Sequence, residues 1–190
     1  MTASSSRQKI ITAARRTFYE RGYEDTSFAD LAEVSGVPKG NFYYHFKSKA
    51  ELLATVLRAR VESVEGALQS WSTSIPMPQE RLRRFVRMLT SEKEDLVRFG
   101  CPMGSLLMEL GKKRQPELHE QARTLLDIYV GWAAGQFTEL GQKPKASRIL
   151  AERLLSRCQG VVLIAHAYGD TQLLNREVRD IEQWLAGFVC

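Results

Sequence analysis

The stretch from residue 26 to residue 49, TSFADLAEVSGVPKGNFYYHFKSK, limits what this chain can fold into more than any other part of it. Ser27 is a helix-capping residue, and Asp30 stands three positions later, in capping-box spacing. Gly36 suits the left-handed position that ends a helix, and Pro38 is well placed to open the next one. The order of these residues predicts two short helices joined by a tight turn.

The second of these helices is predicted from about Pro38 to Phe46, with an apolar and a polar side. Val37, Phe42 and Phe46 are expected to point inward. The residues left for the outside are Lys39, Asn41, Tyr43, Tyr44 and His45. Hydroxyl, ammonium, amide and imidazole groups on an exposed short helix suit contacts with phosphates and base edges, so we predict a DNA-reading helix-turn-helix. The alternative is a small helical hairpin with a solvated polar face.

The charge distribution favours the DNA-reading interpretation. The chain has 190 residues and a formal net charge of +5. Residues 1 to 49 hold eight Lys and Arg against five Asp and Glu, which is a net charge of +3 in the first quarter of the chain. The basic bias therefore lies where the predicted DNA-reading helices lie.

The run S-G-V-P-K-G-N-F-Y-Y-H-F-K-S-K-A-E-L, residues 35 to 52, resembles the signature of TetR-family transcriptional repressors, and the preceding T-S-F-A-D-L-A matches the same pattern. The close resemblance covers about the first quarter of the chain. It implies an all-α homodimer, with an N-terminal DNA-binding domain over residues 1–49 and an effector-binding and dimerisation domain over residues 50–190. It also implies a palindromic DNA operator as partner. By matching position, the implied DNA contacts are Thr26, Ser27, Lys39, Gly40, Asn41, Tyr43, Tyr44, His45 and Lys49.

Apolar spacing predicts about nine helices in all, three in the DNA-binding domain and the rest after it. Outside the residues already discussed, they run over about 7–21, 50–71, 79–92, 102–110, 116–140, 145–168 and 175–188. The last two carry apolar faces broader than one core contact requires. By resemblance, we assign these two helices to the dimer interface, through Leu154, Val161, Ala165, Ile181, Trp184 and Leu185. A purely intramolecular core is the alternative.

The resemblance further implies a small-molecule effector, whose chemical identity the sequence does not encode. Ligand pockets are mostly apolar with a few polar groups, and large adaptable apolar residues occur between the predicted dimer helices and the DNA-binding domain. The implied lining comprises Trp71, Phe85, Met88, Phe99, Cys101, Met103, Met108, Tyr129, Trp132, Cys158 and His166. Each of them could equally be an ordinary core residue.

Cys101 supports a second hypothesis. It precedes Pro102 at a predicted helix start, where the helix dipole favours the thiolate form of a cysteine. The G-C-x-x-x-x-L context is similar to that of the N-ethylmaleimide-responsive repressors of the TetR family, which implies a thiol sensor of electrophiles or oxidants. The alternative is a small buried hydrophobe in a turn.

Other classes of function find little support in the sequence. Cys101, Cys158 and Cys190 are widely spaced, which gives no basis for a disulfide scaffold, a zinc site or another cofactor. No catalytic fingerprint is present, so we expect a non-enzyme. No apolar run approaches a membrane span and the first residues are polar, so we expect a cytoplasmic protein. A DNA-binding module that recruits a protein partner without a small effector remains a third possibility.

Overall fold

The computed structural model describes residues 3–112 and 115–188, and within these ranges the chain forms ten α-helices and no strand. The predicted all-α class is confirmed. The helices are α1 (Ala3–Arg21), α2 (Phe28–Ser35), α3 (Lys39–His45), α4 (Lys49–Ser74), α5 (Pro78–Ser91), α6 (Lys93–Phe99), α7 (Pro102–Lys112), α8 (Pro116–Glu139), α9 (Pro144–Tyr168) and α10 (Thr171–Ala186).

Two local differences from the predicted helices have clear physical reasons. The short helix α6 was not predicted, because its seven residues begin without a side-chain cap and carry only two turns of apolar spacing. The last helix begins at Thr171 rather than near Asn175. Asp170 caps it there, since its side chain accepts hydrogen bonds from the backbone N–H groups of Gln172 and Leu173 at 2.8 and 3.0 Å.

The described residues fall into two compact units. Unit 1 comprises Met1–Ser63 and Ser105–Thr124, and unit 2 comprises Val64–Gly104 and Leu125–Cys190. The first part of α4 and most of α7 thus group with the N-terminal helices. The domain border predicted after residue 49 stays a prediction.

Unit 1 is organised around the mutual packing of α1, α2 and α3. Ile10, Leu31 and Phe42, one from each helix, have no exposed surface. The rings of Phe28 and Phe42 lie 5.4 Å apart. Burying side chains of this size stabilises a fold by about 1.5–3 kcal/mol each, so this small core holds α2 and α3 in a fixed relation.

Unit 2 has a separate core in which α5, α6, α9 and α10 pack together and α8 contributes further side chains. Phe137, Leu154, Leu174 and Ile181 are fully buried there. Arg81, also buried, donates hydrogen bonds to two carbonyl oxygens before α5 and to two side chains of α8. A charged group at this depth is tolerated because its N–H donors are paired.

Candidate DNA interface

The start of α2 is fixed by the predicted capping box. The Ser27 hydroxyl oxygen accepts a hydrogen bond from the Asp30 N–H at 3.2 Å, and an Asp30 carboxylate oxygen accepts one from the Ser27 N–H at 2.7 Å. The Ser27 hydroxyl, the Ser27 N–H and the charge of Arg21 hold the pKa of Asp30 below its ordinary value. Two of the helix's unpaired N–H groups are thereby satisfied by residues that are neighbours in sequence.

The turn between α2 and α3 also follows the prediction. Gly36 has φ of +65°, the left-handed conformation that glycine adopts most readily, and its N–H donates to the Ala32 carbonyl oxygen at 3.0 Å. Pro38, at φ −54°, immediately precedes α3. This geometry forms a helix-turn-helix from α2 and α3.

The predicted division of α3 into an inner and an outer side is confirmed. Phe42 and Phe46 are buried, with 0% and 1% of their surface exposed, whereas Tyr43 and Tyr44 are 60% and 80% exposed. The other exposed residues of α3 are Lys39, Gly40 and Asn41. His45 is half-buried, and the centroid of its ring lies 5.0 Å from that of Tyr44. The Tyr43 ring packs edge-to-face against Phe28, with centroids 5.3 Å apart, but most of its surface and of that of Tyr44 is exposed, so this polar aromatic surface is available to a partner.

Two of the predicted contact residues have internal roles in unit 1. The side chain of Thr26 is buried, and its hydroxyl donates to the Gly22 carbonyl oxygen at 2.7 Å. The Lys49 ammonium donates to the carbonyl oxygens of Tyr23 and Glu24 at 2.8 and 3.0 Å. Thr26 therefore has no side-chain surface to offer to DNA, and we reassign Lys49 to the turn between α1 and α2. The sequence did not reveal this, because both side chains bind backbone carbonyls, those bound by Lys49 more than twenty residues away.

An open depression brings several of the candidates together, including the reassigned Lys49. Ser27, Lys39, Tyr43 and Lys49 border it, as does Lys47, an exposed residue that we had not included among the DNA contacts. The signal for Lys47 was present in the sequence, as the first basic residue of the K-S-K run that links α3 to α4. Positive and hydroxyl-bearing side chains from three separate segments thus lie around one concave surface, which also includes the acidic Glu24 and Asp25. The lysines and hydroxyls among them are groups that bind phosphates.

The residues assigned to an effector site lie in both units. In unit 2, Trp71, Phe85, Tyr129 and Trp132 form an aromatic cluster in which neighbouring ring centroids are 5.3–6.0 Å apart. Met108, by contrast, belongs to unit 1, where it is exposed.

The other candidates of unit 2 differ widely in exposure. His166 is exposed, with its Nδ1 atom 2.9 Å from the Val97 carbonyl oxygen. Met88, Phe99, Cys101 and Met103 are half-buried. Cys158 is buried, and this burial raises the pKa of its thiol to about 12, so it is a core residue that stays protonated at neutral pH.

Most of the predicted dimer contacts are inside unit 2. Leu154, Ala165, Ile181 and Leu185 have no exposed surface, because they form its core, and a second subunit cannot touch them. Val161 and Trp184 are half-buried, and Trp184 packs against Phe137 and Phe188. Cys190, named above with the cysteines, lies outside the described residues.

Within residues 3–112 and 115–188, no group of three or more His, Cys, Asp or Glu side chains is arranged to hold a metal ion. None of the helices in the same ranges is both long and apolar enough to cross a membrane.

The capped α2, the glycine turn and the exposed polar face of α3 define a helix-turn-helix protein, and comparisons with known proteins agree. The model of the family described as bacterial regulatory proteins, tetR family, matches residues 10–56. The HTH-type transcriptional regulator LmrA of Bacillus subtilis (strain 168) is 31% identical over 185 residues, covering 92% of this chain and 94% of that protein. The HTH-type transcriptional repressor DhaR of Mycobacterium sp. (strain GP1) is 28% identical over 172 residues, 86% of this chain and 83% of DhaR.

The same architecture occurs in solved structures. A TetR-family transcriptional regulator from Agrobacterium tumefaciens aligns with a TM-score of 0.84 at 21% identity, over 100% of both chains. This chain belongs to the TetR family of transcriptional regulators. It is accordingly a DNA-binding regulator of transcription and not an enzyme.

Proposed function

We propose that the protein is a homodimeric repressor that binds a palindromic operator and is released from it by a small-molecule effector. The observation that carries this proposal is the exposed face of α3, where Lys39, Asn41, Tyr43 and Tyr44 surround the buried anchor Phe42. DhaR, to which this chain is similar, is a transcriptional repressor, and this similarity supports repression as the direction of regulation. Action on chromosomal DNA would place the protein in the cytoplasm.

On DNA, α3 would lie in the major groove. The amide of Asn41 can pair with an adenine edge, since an amide carries a donor and an acceptor in the spacing that adenine presents there. The hydroxyls of Tyr43 and Tyr44 and the ammonium groups of Lys39 and Lys47 would bind phosphates, which fix the register without specifying sequence. Ser27, His45 and the backbone at Gly40 remain candidate contacts at the edges of this surface.

Dimerisation is proposed because one short helix reaches few base edges. Two copies of α3 about 34 Å apart would enter successive major grooves of a palindrome. One face of α9 carries exposed apolar side chains that do not pack in the core of unit 2, and we propose it as the contact surface. Ile149, Leu163, Ile164 and Tyr168 are 49%, 65%, 45% and 76% exposed there, and an apolar face of this kind suits a second copy of the same helix. We therefore move the proposed interface from the buried residues to this face.

The effector would bind in unit 2, and the aromatic cluster of Trp71, Phe85, Tyr129 and Trp132 is its proposed contact surface. The Trp132 ring N–H is already bound to the Ser72 hydroxyl at 3.0 Å. The cluster would therefore act mainly through apolar and stacking contacts with a ligand. A ligand can shift the protein from the DNA-bound state only by its greater affinity for the released state.

The test of effector release uses a DNA duplex selected by the protein from a random library. Small aromatic compounds are screened by thermal shift, and those that stabilise the protein are titrated into the protein–DNA complex. We expect at least one stabilising compound to lower operator affinity. Stable DNA binding with no stabilising compound would favour the alternative of a module that recruits a protein partner.

A thiol sensor at Cys101 is a second candidate, and a specific observation favours it. The half-buried Cys101 sulfur accepts hydrogen bonds from the Gly104 N–H and the Gln159 side-chain N–H, both at 3.4 Å. These two donors would bind a negatively charged sulfur. With N-ethylmaleimide, the thiolate would add to the double bond, and the neighbouring carbon would take a proton from water.

Replacing Cys101 with Ser tests this candidate. A sensor loses operator affinity on treatment with N-ethylmaleimide in the wild type but not in the Cys101→Ser variant. Equal loss in both proteins, or none in the wild type, rejects it. The buried Cys158 serves as the control, and Cys158→Ser should leave the response to the maleimide unchanged.

A further inference from the structure

The turn between α1 and α2, residues 22–26, is held by polar groups from three other segments of unit 1. It lies directly before Ser27, the residue that caps the first DNA-binding helix. Its backbone therefore sets where the helix-turn-helix begins.

The first support is the carboxylate of Glu109, on α7. One of its oxygens accepts a hydrogen bond from the Tyr23 N–H at 3.1 Å and the other accepts one from the Glu24 N–H at 2.7 Å. A single carboxylate thus binds two consecutive backbone N–H groups 85 and 86 residues away. Hydrogen bonds to a charged acceptor are roughly twice as strong as neutral ones.

Gly22 makes room for this carboxylate. Its φ is +88°, and a Cβ atom at this position would lie 3.3 Å from the nearer Glu109 oxygen. The glycine therefore serves both the left-handed backbone of the turn and the approach of Glu109.

The second support binds the carbonyl oxygens of the same two residues. The Lys49 ammonium binds the carbonyl oxygens of Tyr23 and Glu24 and lies 4.5 Å from the centre of the Tyr23 ring. Gln115 adds a third contact, donating to the Glu24 carboxylate at 2.7 Å. A negative group binds the N–H groups and a positive group binds the carbonyls of the same residues, so each charge stabilises the peptide dipoles that the other orients.

We propose that Glu109 is a positioning residue for DNA binding: it holds the 22–26 turn, and through it the start of α2, in the geometry that presents α3 to the major groove. The inference rests on the proposed docking of α3. Without the carboxylate, the turn would sample other conformations, and only a fraction of molecules would hold α2 and α3 in the binding geometry. The apparent dissociation constant would rise by the inverse of that fraction.

The loss of positioning and the loss of negative charge at Glu109 should change DNA affinity in opposite directions. Removing a carboxylate from a protein that binds a polyanion should strengthen binding if the group acts only through its charge. Glu109→Gln keeps the size of the side chain but turns an N–H donor toward a backbone N–H. The positioning role predicts that this variant binds DNA more weakly, in the opposite direction to the electrostatic effect.

The experiment compares Glu109→Gln with Glu117→Gln, which removes the same charge from an exposed site on α8 in the same unit. The probe is a duplex that the wild-type protein selects from a random library. We expect affinity to fall about tenfold for Glu109→Gln, which corresponds to a loss of about 1.4 kcal/mol. Glu117→Gln should bind as tightly as the wild type or slightly more tightly.

A second readout separates positioning from general structural support. Hydrogen exchange of the Tyr23 and Glu24 amides should accelerate in Glu109→Gln, while the amides of the α1 core and the thermal midpoint stay near wild-type values. Unchanged affinity, or unchanged exchange at these two amides, would overturn the proposal. If the wild-type protein itself selects no DNA, the docking function fails, whereas the exchange data still report whether Glu109 holds the turn.

If Glu109→Gln does not fold, the Gln115→Ala variant tests whether support of the 22–26 turn affects DNA binding. It removes only the side-chain contact with Glu24. We expect faster exchange at the Glu24 amide and a two- to threefold weaker affinity, about 0.4–0.6 kcal/mol. A variant that folds and binds like the wild type would count against the inference.

Discussion

Neighbouring residues of α3 differ in exposure: some side chains pack in the core of unit 1, and others are free to contact DNA. Phe42 and Phe46 are buried in the core, and Tyr43 and Tyr44 beside them are exposed. Asn41 lies on the same exposed side and carries the amide suited to a base edge. Base readout and phosphate binding are therefore assigned to different residues, and they can be tested separately.

Asn41→Ala should relax base preference as well as weaken binding. An amide that pairs with adenine contributes about 1–3 kcal/mol of discrimination, so its loss should broaden the sequences that the protein selects from a random library. Lys39→Ala is the matched control, because loss of a phosphate contact weakens all sequences alike. Unchanged selection by Asn41→Ala would remove this residue from base readout.

Asp30 gives a pH-dependent prediction for the cap of α2. Its pKa is lowered in the folded protein, mainly by the hydrogen bond with the Ser27 hydroxyl. A folded-state pKa below the unfolded value means that the contribution to stability is present above the unfolded pKa and is lost as the pH falls through the folded one. Ser27→Ala should move the pKa of Asp30 up toward its ordinary value.

Carbon NMR titration of the Asp30 carboxyl in both proteins would measure this shift. The acid-side loss of stability should also be smaller in Ser27→Ala than in the wild type. A titration curve of Asp30 that is the same in both proteins would contradict the role assigned to the cap.

Among the elements, α2 and α3 were predictable in detail because their cap, their turn and the periodicity of their apolar residues are local. The cap lies within four residues, Gly36 ends α2, and the buried and exposed sides of α3 follow one helical period. The helix α6 was not predictable in the same way, since it is held by packing against α9 rather than by its own sequence. The internal roles of Thr26 and Lys49 were missed because their partners are backbone carbonyls.

Replacing glycine by alanine should have opposite effects on stability at two positions, Gly36 in the turn between α2 and α3 and Gly66 inside α4. Gly36→Ala should destabilise the protein by about 1 kcal/mol, because alanine must adopt the left-handed φ of +65°. Gly66→Ala, at an exposed position inside α4, should stabilise it by about 0.5–1 kcal/mol. Urea unfolding followed by circular dichroism measures both, and equal signs would contradict the assigned turn geometry.

For the whole molecule, the sequence does not predict which apolar residues pack inside the chain and which are left exposed to contact a partner. Periodicity identified α9 and α10 as broadly apolar, and it could not separate a face used inside the chain from one left open. The choice of Leu154, Ala165, Ile181 and Leu185 fell on the internal face, whereas Leu163, Ile164 and Tyr168 lie on the open one. Only the packing of unit 2 distinguishes them, because it depends on contacts between helices remote in sequence.

Leu163→Glu tests the proposed dimer. A carboxylate on this face would be desolvated against a second copy, which opposes association. We expect light scattering to show a dimer for the wild type and a monomer for the variant, with operator affinity reduced at least tenfold. Met77→Glu, at a similarly exposed apolar residue before α5, should remain dimeric and bind DNA normally. A dimeric Leu163→Glu protein would place the interface elsewhere.

The central claim is that the exposed side of α3 contacts DNA, and a salt titration of binding to a selected palindromic duplex tests it most directly. The wild-type protein should bind at low salt with an affinity that falls steeply as salt rises, because bound cations are released from the phosphates. The variant Tyr43→Ala Tyr44→Ala should bind at least tenfold more weakly to every duplex, and its thermal midpoint is checked alongside because the Tyr43 ring packs edge-to-face against Phe28. Wild-type protein that does not bind at low salt, or a double variant that binds with full strength, would contradict the claim.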